Sequence, residues 1–434
     1  MLAPTKIARA VALACALGSG AASAAELEYS IYTGVEHSDN INLSDTQPID
    51  QNVLMPGLNF TLNQQGADLQ ATAAGNLEYR DYLGNQFSDQ TQVQMAGQAN
   101  WSAIPSRLDF TVRDYAGVQP IDRLSSNGPD NQQQTNVFAV GPTLSFRMGA
   151  TAHGEADLQY INSYAEKSKD FNSHRSQAAL RLLKDLSPTD RLSANAEYQR
   201  IKLDRAANNP DFNRSELYGR YVRKLATIDF DVTAGWSKLD FDGAGLPSPT
   251  RPLQRLSISW NPTQRSNLEL AAAREYSDAA TDMLQSPDQV ISGTGRGVNI
   301  SNVLINSQVY FQRRVEGRYT FTGERLIVSL APYYRWYSYV IGPLDDDTTR
   351  GGTLNLDYRL NSTLLLSAGA NTEKTVYDAL ARRDRSTTYD ISLSQQLTPH
   401  WGWRSSFTHQ RRSSNVADQS YRENQIYFAV VYTR

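Results

Sequence analysis

The feature that most constrains this sequence is a strict alternation of apolar and polar residues. Within 314–321, Arg314, Glu316 and Arg318 are charged, while the positions between them are apolar, aromatic or glycine. A period of two residues is that of a β-strand, whose successive side chains point to opposite faces. The pattern recurs in 92–102, 228–237 and 353–360. It predicts an all-β fold whose strands each have one apolar and one strongly polar face.

Composition excludes some alternatives. The chain has 434 residues, a net charge of -3 and a mean hydropathy of -0.51. The net charge gives no bulk basic surface for nucleic acid, so no nucleic-acid partner is expected. After the N-terminus, no stretch approaches the roughly eighteen apolar residues of a membrane helix. The 23 Tyr, 13 Phe and 6 Trp gather near predicted strand ends, a distribution typical of the aromatic girdles of membrane barrels.

The N-terminus predicts export. Residues 1–24 resemble a cleaved signal peptide, since Lys6 and Arg9 form a short basic start, 7–17 supply an apolar stretch and small residues precede the cut. Residues 25–434 are then expected to form one outer-membrane domain. Neither a plug domain nor a TonB-binding box precedes the first predicted strand at Leu27, so a passive rather than an energised protein is expected.

The connections between strands alternate in length. Short turns are predicted at 63–66, 104–106, 187–190, 261–264, 322–324, 361–362 and 398–400, and longer loops at 37–50, 119–134, 204–212, 240–251, 277–306, 342–350, 378–386 and 412–420. Outer-membrane barrels have short periplasmic turns and long external loops, whereas a Greek-key sandwich mixes lengths irregularly. The tally predicts a transmembrane antiparallel β-barrel of about 18–20 strands, wide enough for an aqueous or loop-plugged lumen.

No catalytic or metal site is predicted. The five His residues lie on separate segments, and no pair has metal-ligand spacing. We therefore expect neither an enzyme nor a cofactor.

The polar strand faces supply the candidate site residues. They are predicted to face the lumen and are Arg113, Arg147, Arg181, Arg220, Arg314, Glu316, Arg318, Arg335, Arg359 and Arg404. One interpretation is a charge-balanced wall whose opposite charges pair across strands. The other is a conduit whose arginines make transient contacts with the carboxylates of an anionic polymer. Both fit the same residues.

Three segments near the N-terminus carry a family resemblance: 32–41 with its Asp-Asn pair, 55–58 with Pro-Gly-Leu, and the tyrosine-rich 77–82. They resemble the β-barrel porin-2 type of outer-membrane proteins, which includes exosortase-associated, EpsL-like barrels of exopolysaccharide clusters. The resemblance implies export of a polysaccharide across the outer membrane, with periplasmic and inner-membrane export components as partners.

The leading hypothesis is thus a passive outer-membrane conduit with a charged lumen, surrounded by lipid and exporting an exopolysaccharide, with anionic polysaccharide as a candidate ligand. A general diffusion porin, or a structural surface barrel whose loops bind ligands, remains the alternative.

Overall fold

The computed structural model describes residues 25–204, 210–243, 245–285, 308–342 and 346–434. The predicted signal peptide, 1–24, and part of the predicted loop 277–306 lie outside these residues. The strands are β1 (Ala25–Ser38), β2 (Gln51–Gln65), β3 (Leu69–Leu83), β4 (Gln90–Ile104), β5 (Leu108–Pro120), β6 (Gln132–Arg147), β7 (Ala152–Ala165), β8 (Ser173–Asp185), β9 (Asp190–Leu203), β10 (Phe212–Lys224), β11 (Ile228–Phe241), β12 (Thr250–Thr263), β13 (Ser266–Ser277), β14 (Tyr310–Thr322), β15 (Leu326–Tyr339), β16 (Asp347–Arg359), β17 (Leu364–Tyr377), β18 (Arg382–Gln396), β19 (Trp401–Ser414) and β20 (Tyr421–Thr433).

The twenty strands close into one antiparallel barrel. Each strand pairs with its neighbours in the chain, and β1 pairs with β20 from Ser30↔Thr433 to Ser38↔Gln425. Closure leaves no unpaired sheet edge, which is the condition for a β-sheet to stand in hydrocarbon. The predicted fold class is confirmed, with the strand number at the top of the predicted range.

The two faces of the barrel differ as the alternation predicts. On the outward face large apolar side chains are exposed, for example Leu217 at 63%, Trp236 at 64% and Leu158 at 60%. On the opposite face, called the inner face below, polar side chains such as Glu78 and Gln312 are buried. An exposed apolar surface of this extent is the surface of a protein that contacts lipid.

One short helix, α1 (Ala279–Gln285), follows β13, and single 3-10 turns lie at Pro129–Asn131 and Lys169–Phe171. No helix in the described part of the chain has the length and apolar character needed to cross a membrane.

Connection lengths separate the two ends of the barrel. At the end that holds both termini, connections have two to four residues, whereas at the other end they run from four residues at 378–381 to thirty-two at 278–309. We call the second end the outer end, because long loops of outer-membrane barrels face the cell exterior. Four connections were not predicted from the sequence, namely 84–89, 148–151, 166–172 and 225–227.

Candidate functional site

All ten predicted lumen residues lie on strands, at positions that register assigns to the inner face. They are Arg113 on β5, Arg147 on β6, Arg181 on β8, Arg220 on β10, Arg314, Glu316 and Arg318 on β14, Arg335 on β15, Arg359 on β16 and Arg404 on β19.

Several of these arginines pair with acids on adjacent strands. Arg335 Nη2 lies 3.0 Å from Glu316 Oε1, and Arg220 forms a two-pronged contact with Asp231 on β11. Arg181 bonds Asp157. Opposite charges facing each other across strands stabilise a sheet. Much of the inner face is therefore a charge-balanced wall.

The remaining candidates have other surroundings. Arg113 donates to Gln159 at 3.0 Å, and Arg404 lies near Tyr427. Arg318 stands directly across from Glu269 on β13. The structure brings the ten residues onto one surface but not into one cluster.

Tyrosines on the inner face were not among the predicted site residues. The hydroxyls of Tyr32 and Tyr333 donate to Glu78 at 2.8 Å and to Glu373 at 2.6 Å. Both tyrosines occupy polar positions of the alternation, so the same sequence pattern could have predicted that they lie on the inner face. They give the lumen wall aromatic rings beside carboxylates, groups that also contact sugar hydroxyls and ring faces.

The loop 121–131, between β5 and β6, crosses the mouth of the barrel at its outer end. Arg123 Nη1 lies 2.5 Å from Asp347 Oδ2 on β16, and its guanidinium stands over the rings of Tyr377 and Tyr339 at 5.1 and 5.8 Å. The loop begins on β5, so this contact spans the lumen rather than joining neighbouring strands.

A second set of contacts fixes the tip of the same loop. The carbonyl oxygen of Leu124 accepts hydrogen bonds from Arg382 at 2.7 Å and from Arg412 at 3.3 Å. Both guanidinium groups also bind Asp384, at 2.8 and 2.6 Å. Charged donors bind backbone carbonyls more strongly than neutral donors do. We call Arg123, Asp347, Arg382, Asp384 and Arg412 the latch.

The loop is also ordered by its own hydrogen bonds. Asp122 accepts from the Leu124 backbone N–H at 2.9 Å and from the Ser125 hydroxyl at 2.6 Å. Asn131 Nδ2 donates to the carbonyls of Asp122 and Ser126. These bonds present the Leu124 carbonyl to the opposite wall as a preformed unit.

Helix α1 enters the lumen from the other side. It follows β13, yet its apolar residues Ala279, Ala280 and Met283 pack in one buried cluster against the inner face of β6 and β7, together with Phe171. The wall supplies Val137, Ala139, Ile161 and Ala165 to this cluster. Two segments that start on different walls thus occupy the outer mouth.

Asp278 fixes the start of α1. Its side chain accepts from the Thr281 backbone N–H at 3.1 Å, which caps the helix, and its Oδ1 lies 2.7 Å from Arg175 on β8. Burial raises the pKa of Asp278, but the guanidinium groups of Arg175 and Arg214 outweigh it and hold the pKa below its ordinary value. The charged form of Asp278 therefore pins α1 to β8.

Asp282, on the next turn of α1, has the opposite character. It accepts hydrogen bonds from the hydroxyls of Ser277 and of Tyr310, the latter at 2.5 Å. Burial raises the pKa of Asp282 to about 6, although these hydrogen bonds and the nearby Arg314 oppose the shift. The neutral form of this carboxyl is thus the one that the docked helix favours.

The latch and α1 were not predicted from the sequence. Their residues lie in loops or at strand ends, where no periodicity applies, and their partners are distant in the chain. A buried Arg or Asp at the end of a strand carries no local signal of its partner. Among the residues that the structure describes, no three His, Cys, Asp or Glu side chains form a group that could hold a metal ion.

A family model described as "Putative beta-barrel porin 2" matches this chain over residues 348–434. The match spans nearly all of β16 and the whole of β17 to β20. It confirms the resemblance to porin-2 type barrels, although it covers the last strands rather than the three N-terminal segments that first indicated the resemblance. No curated protein matches the chain.

Solved structures of siderophore receptors and an iron transporter match the chain at low identity and with TM-scores below 0.5. A structure of the ferric enterobactin receptor PfeA from Pseudomonas aeruginosa is 11% identical, with a TM-score of 0.49, over 95% of this chain and 82% of that chain. The FrpB iron transporter of Neisseria meningitidis is 8% identical, with a TM-score of 0.45, over 94% and 82%. The siderophore receptor PiuA of Acinetobacter baumannii is 10% identical, with a TM-score of 0.44, over 94% and 82%. Likeness at this level gives no information about the cargo of this chain.

Proposed function

We propose that this chain, an outer-membrane barrel of the porin-2 type, is a gated passive conduit through which an exopolysaccharide leaves the cell. The main support for this proposal comes from the outer mouth. There the loop 121–131 crosses the polar lumen, and an ion pair and hydrogen bonds to a backbone carbonyl hold the loop on the opposite wall. A separate plug domain is not needed for this closure.

The nature of the contacts supports a gate. Arg123 binds Asp347 on the opposite wall, and Arg382 and Arg412 bind the loop carbonyl of Leu124, all through charge-assisted hydrogen bonds. A polymer carrying carboxylates can compete with Asp347 and Asp384 for the same guanidinium groups. In this proposal an arriving anionic chain releases the loop and opens the path that it then takes.

The wall below the latch supports passage of a long polar molecule. Paired charges such as Arg335 with Glu316 offer many sites of moderate strength, with tyrosine rings such as Tyr333 between them. Conduction requires sites that bind strongly enough to admit the cargo and weakly enough to let it leave. We propose that these wall residues guide the polymer through the lumen and catalyse no reaction.

Export requires further components. Passage through the barrel is passive in this proposal. Periplasmic and inner-membrane partners therefore deliver the polymer to the end of the barrel with the short turns. Residues 1–24 are proposed to direct the chain to the outer membrane.

In the decisive experiment, the gene is deleted in its native host and the site where the polymer accumulates is determined. Polysaccharide trapped in the periplasm, with export restored by the intact chain, supports the proposal. Normal export without the protein contradicts it.

Liposome swelling separates the conduit from a general diffusion porin. We expect the reconstituted wild-type barrel to admit small neutral sugars poorly, because the latch closes the mouth. Rapid swelling in disaccharides would instead support a general porin.

A further inference from the structure

Five of the basic residues on the outward face of β16 to β20 form a continuous strip close to the outer end. They are Arg350, Lys374, Arg385, Arg411 and Arg422, and we call them the basic strip. Their facing follows from register: Arg350 pairs with Tyr334, whose side chain is 45% exposed on the outward face.

Within the strip, like charges stand directly opposite each other. Arg350 pairs with Lys374, and Lys374 pairs in turn with Arg385 on the next strand. Arg411 pairs with Arg422. Directly opposed like charges destabilise a sheet, because their Cβ atoms are only about 5 Å apart. An arrangement with this internal cost calls for an anionic counterpart.

The part of the chain that the structure describes does not supply that counterpart. Among the described residues, none of the five side chains forms an ion pair with Asp or Glu. Three outward basic residues on other strands do have partners: Lys238 lies 2.9 Å from Asp240, Arg200 lies 3.9 Å from Asp242, and Arg313 stacks on Trp336 at 4.5 Å.

The strip stands at a fixed height above the lipid-facing band. Along each strand, four residues separate Arg350 from exposed Leu354, Arg385 from exposed Tyr389, and Arg422 from exposed Ile426. Four residues of strand span about 13 Å. An offset of this length is enough to carry the guanidinium groups from the apolar band to the height of lipid headgroups.

Part of the barrel lacks such residues. On β3 to β7 the outward positions near the outer end include Asp81, Asn136 and Asn162 but no Lys or Arg. Other outward basic residues near this end, such as Arg200 on β9 and Lys238 on β11, lie on strands between β7 and the strip. The strip is therefore a local concentration of basic residues on one wall and not an even belt around the barrel.

We propose that the basic strip is a binding site for a lipid of the outer leaflet that carries phosphate on its headgroup. Arg forks match phosphate oxygens, and the acyl chains of such a lipid lie along the exposed apolar row of Ile391, Phe407 and Ile426 directly below. The site is independent of what passes through the lumen.

The test measures thermal unfolding of the full barrel in a neutral detergent at low salt, with and without diphosphoryl lipid A. We expect this lipid to raise the Tm of the wild type, as any ligand of the folded state does, and phosphatidylcholine to leave it unchanged. Inorganic phosphate at matched concentration is also expected to leave it unchanged. An equal rise with inorganic phosphate would show a free-anion site and overturn the lipid assignment.

A triple variant tests whether the basic strip binds the lipid. It carries the substitutions Arg350→Gln, Lys374→Gln and Arg385→Gln. Without lipid its Tm is expected to equal or exceed that of the wild type, because opposed like charges are removed. Its apparent affinity for diphosphoryl lipid A is expected to fall about 100-fold.

The matched control Arg200→Gln, Lys238→Gln, Arg313→Gln removes the same number of outward basic residues and should retain wild-type affinity. Equal affinity of the strip variant and the wild type, or an equal loss in the control, would overturn the proposal.

Discussion

Arg123, in the loop that follows β5, contacts Asp347 on β16 at the opposite side of the outer mouth, with 2.5 Å between Nη1 and Oδ2. Both side chains are largely buried, at 13% and 2% exposure. Removing one partner of a buried ion pair leaves the other unpaired and costs about 3–5 kcal/mol. This pair is therefore the place where a small change has the largest effect on the gate.

The variant Asp347→Asn is expected to open the mouth. It keeps the size of the side chain but removes the carboxylate that Arg123 contacts, so the loop 121–131 is held less tightly. We expect at least about a tenfold rise in the open fraction of single channels in planar bilayers, since 1.4 kcal/mol corresponds to a factor of ten. The control Glu324→Gln disrupts the exposed pair with Arg265 at the opposite end and should leave the open fraction unchanged. Unaltered gating in Asp347→Asn would remove the latch from the mechanism.

The variant Met283→Ala is expected to undock α1 without unfolding the barrel. Met283 is 2% exposed in the cluster with Phe171 and Ile161, and truncation of a buried Met costs about 2–5 kcal/mol. Hydrogen exchange of α1 amides should accelerate while exchange in the strands stays slow. The control Leu284→Ala truncates a side chain that only borders the cluster and should have a smaller effect. Equal exchange in both variants and the wild type would contradict the packing role.

The docking of α1 is expected to depend on pH through Asp282. Its pKa is raised to about 6 in the folded protein from an ordinary value of 3.8, so docking favours the neutral carboxyl. Ionisation costs roughly 3 kcal/mol, fully present above pH 6 and absent below about pH 4. Docking should therefore weaken as the pH rises from 4 through 6.

Asp278 does not produce this change, because its lowered pKa favours docking more, and not less, as the pH rises. Hydrogen exchange of α1 measured at several pH values, after correction for intrinsic rates, checks the prediction. In Asp282→Asn the pH dependence should vanish. A dependence that persists in that variant would assign it to another group.

The variant Arg314→Ala, Arg318→Ala is expected to slow polymer export and to reduce the anion preference of the open channel at low salt. Both side chains lie on the inner face of β14. The control Arg313→Ala, on the outward face of the same strand against Trp336, should export normally. If export and current are unchanged in the double variant, the inner arginines stabilise the barrel wall and do not contact the polymer.

The sequence predicted the barrel because alternation reports the facing of each strand residue independently of its neighbours. Arg335 and Glu316 could be placed on one face from the pattern alone. Connections were harder: Leu225 and Ala226 form a tight turn without Gly, Pro, Asn or Asp, so their segment resembles strand. The latch could not be predicted, because the contact of Leu124 with Arg382 is between residues 258 apart in the chain and depends on the curvature of the closed ring.

The pairing of β1 with β20 has a consequence for how the protein is made. Ser38 donates to Glu423, so the seam joins residues 385 apart in the sequence. Until Tyr421–Thr433 arrives, Ala25–Ser38 has no partner on one side and no ring exists for the loop 121–131 to cross. The gate therefore cannot form on a nascent chain. A strand-by-strand intermediate would be an open sheet, and only the pairing of Tyr421–Thr433 with Ala25–Ser38 turns that sheet into a channel.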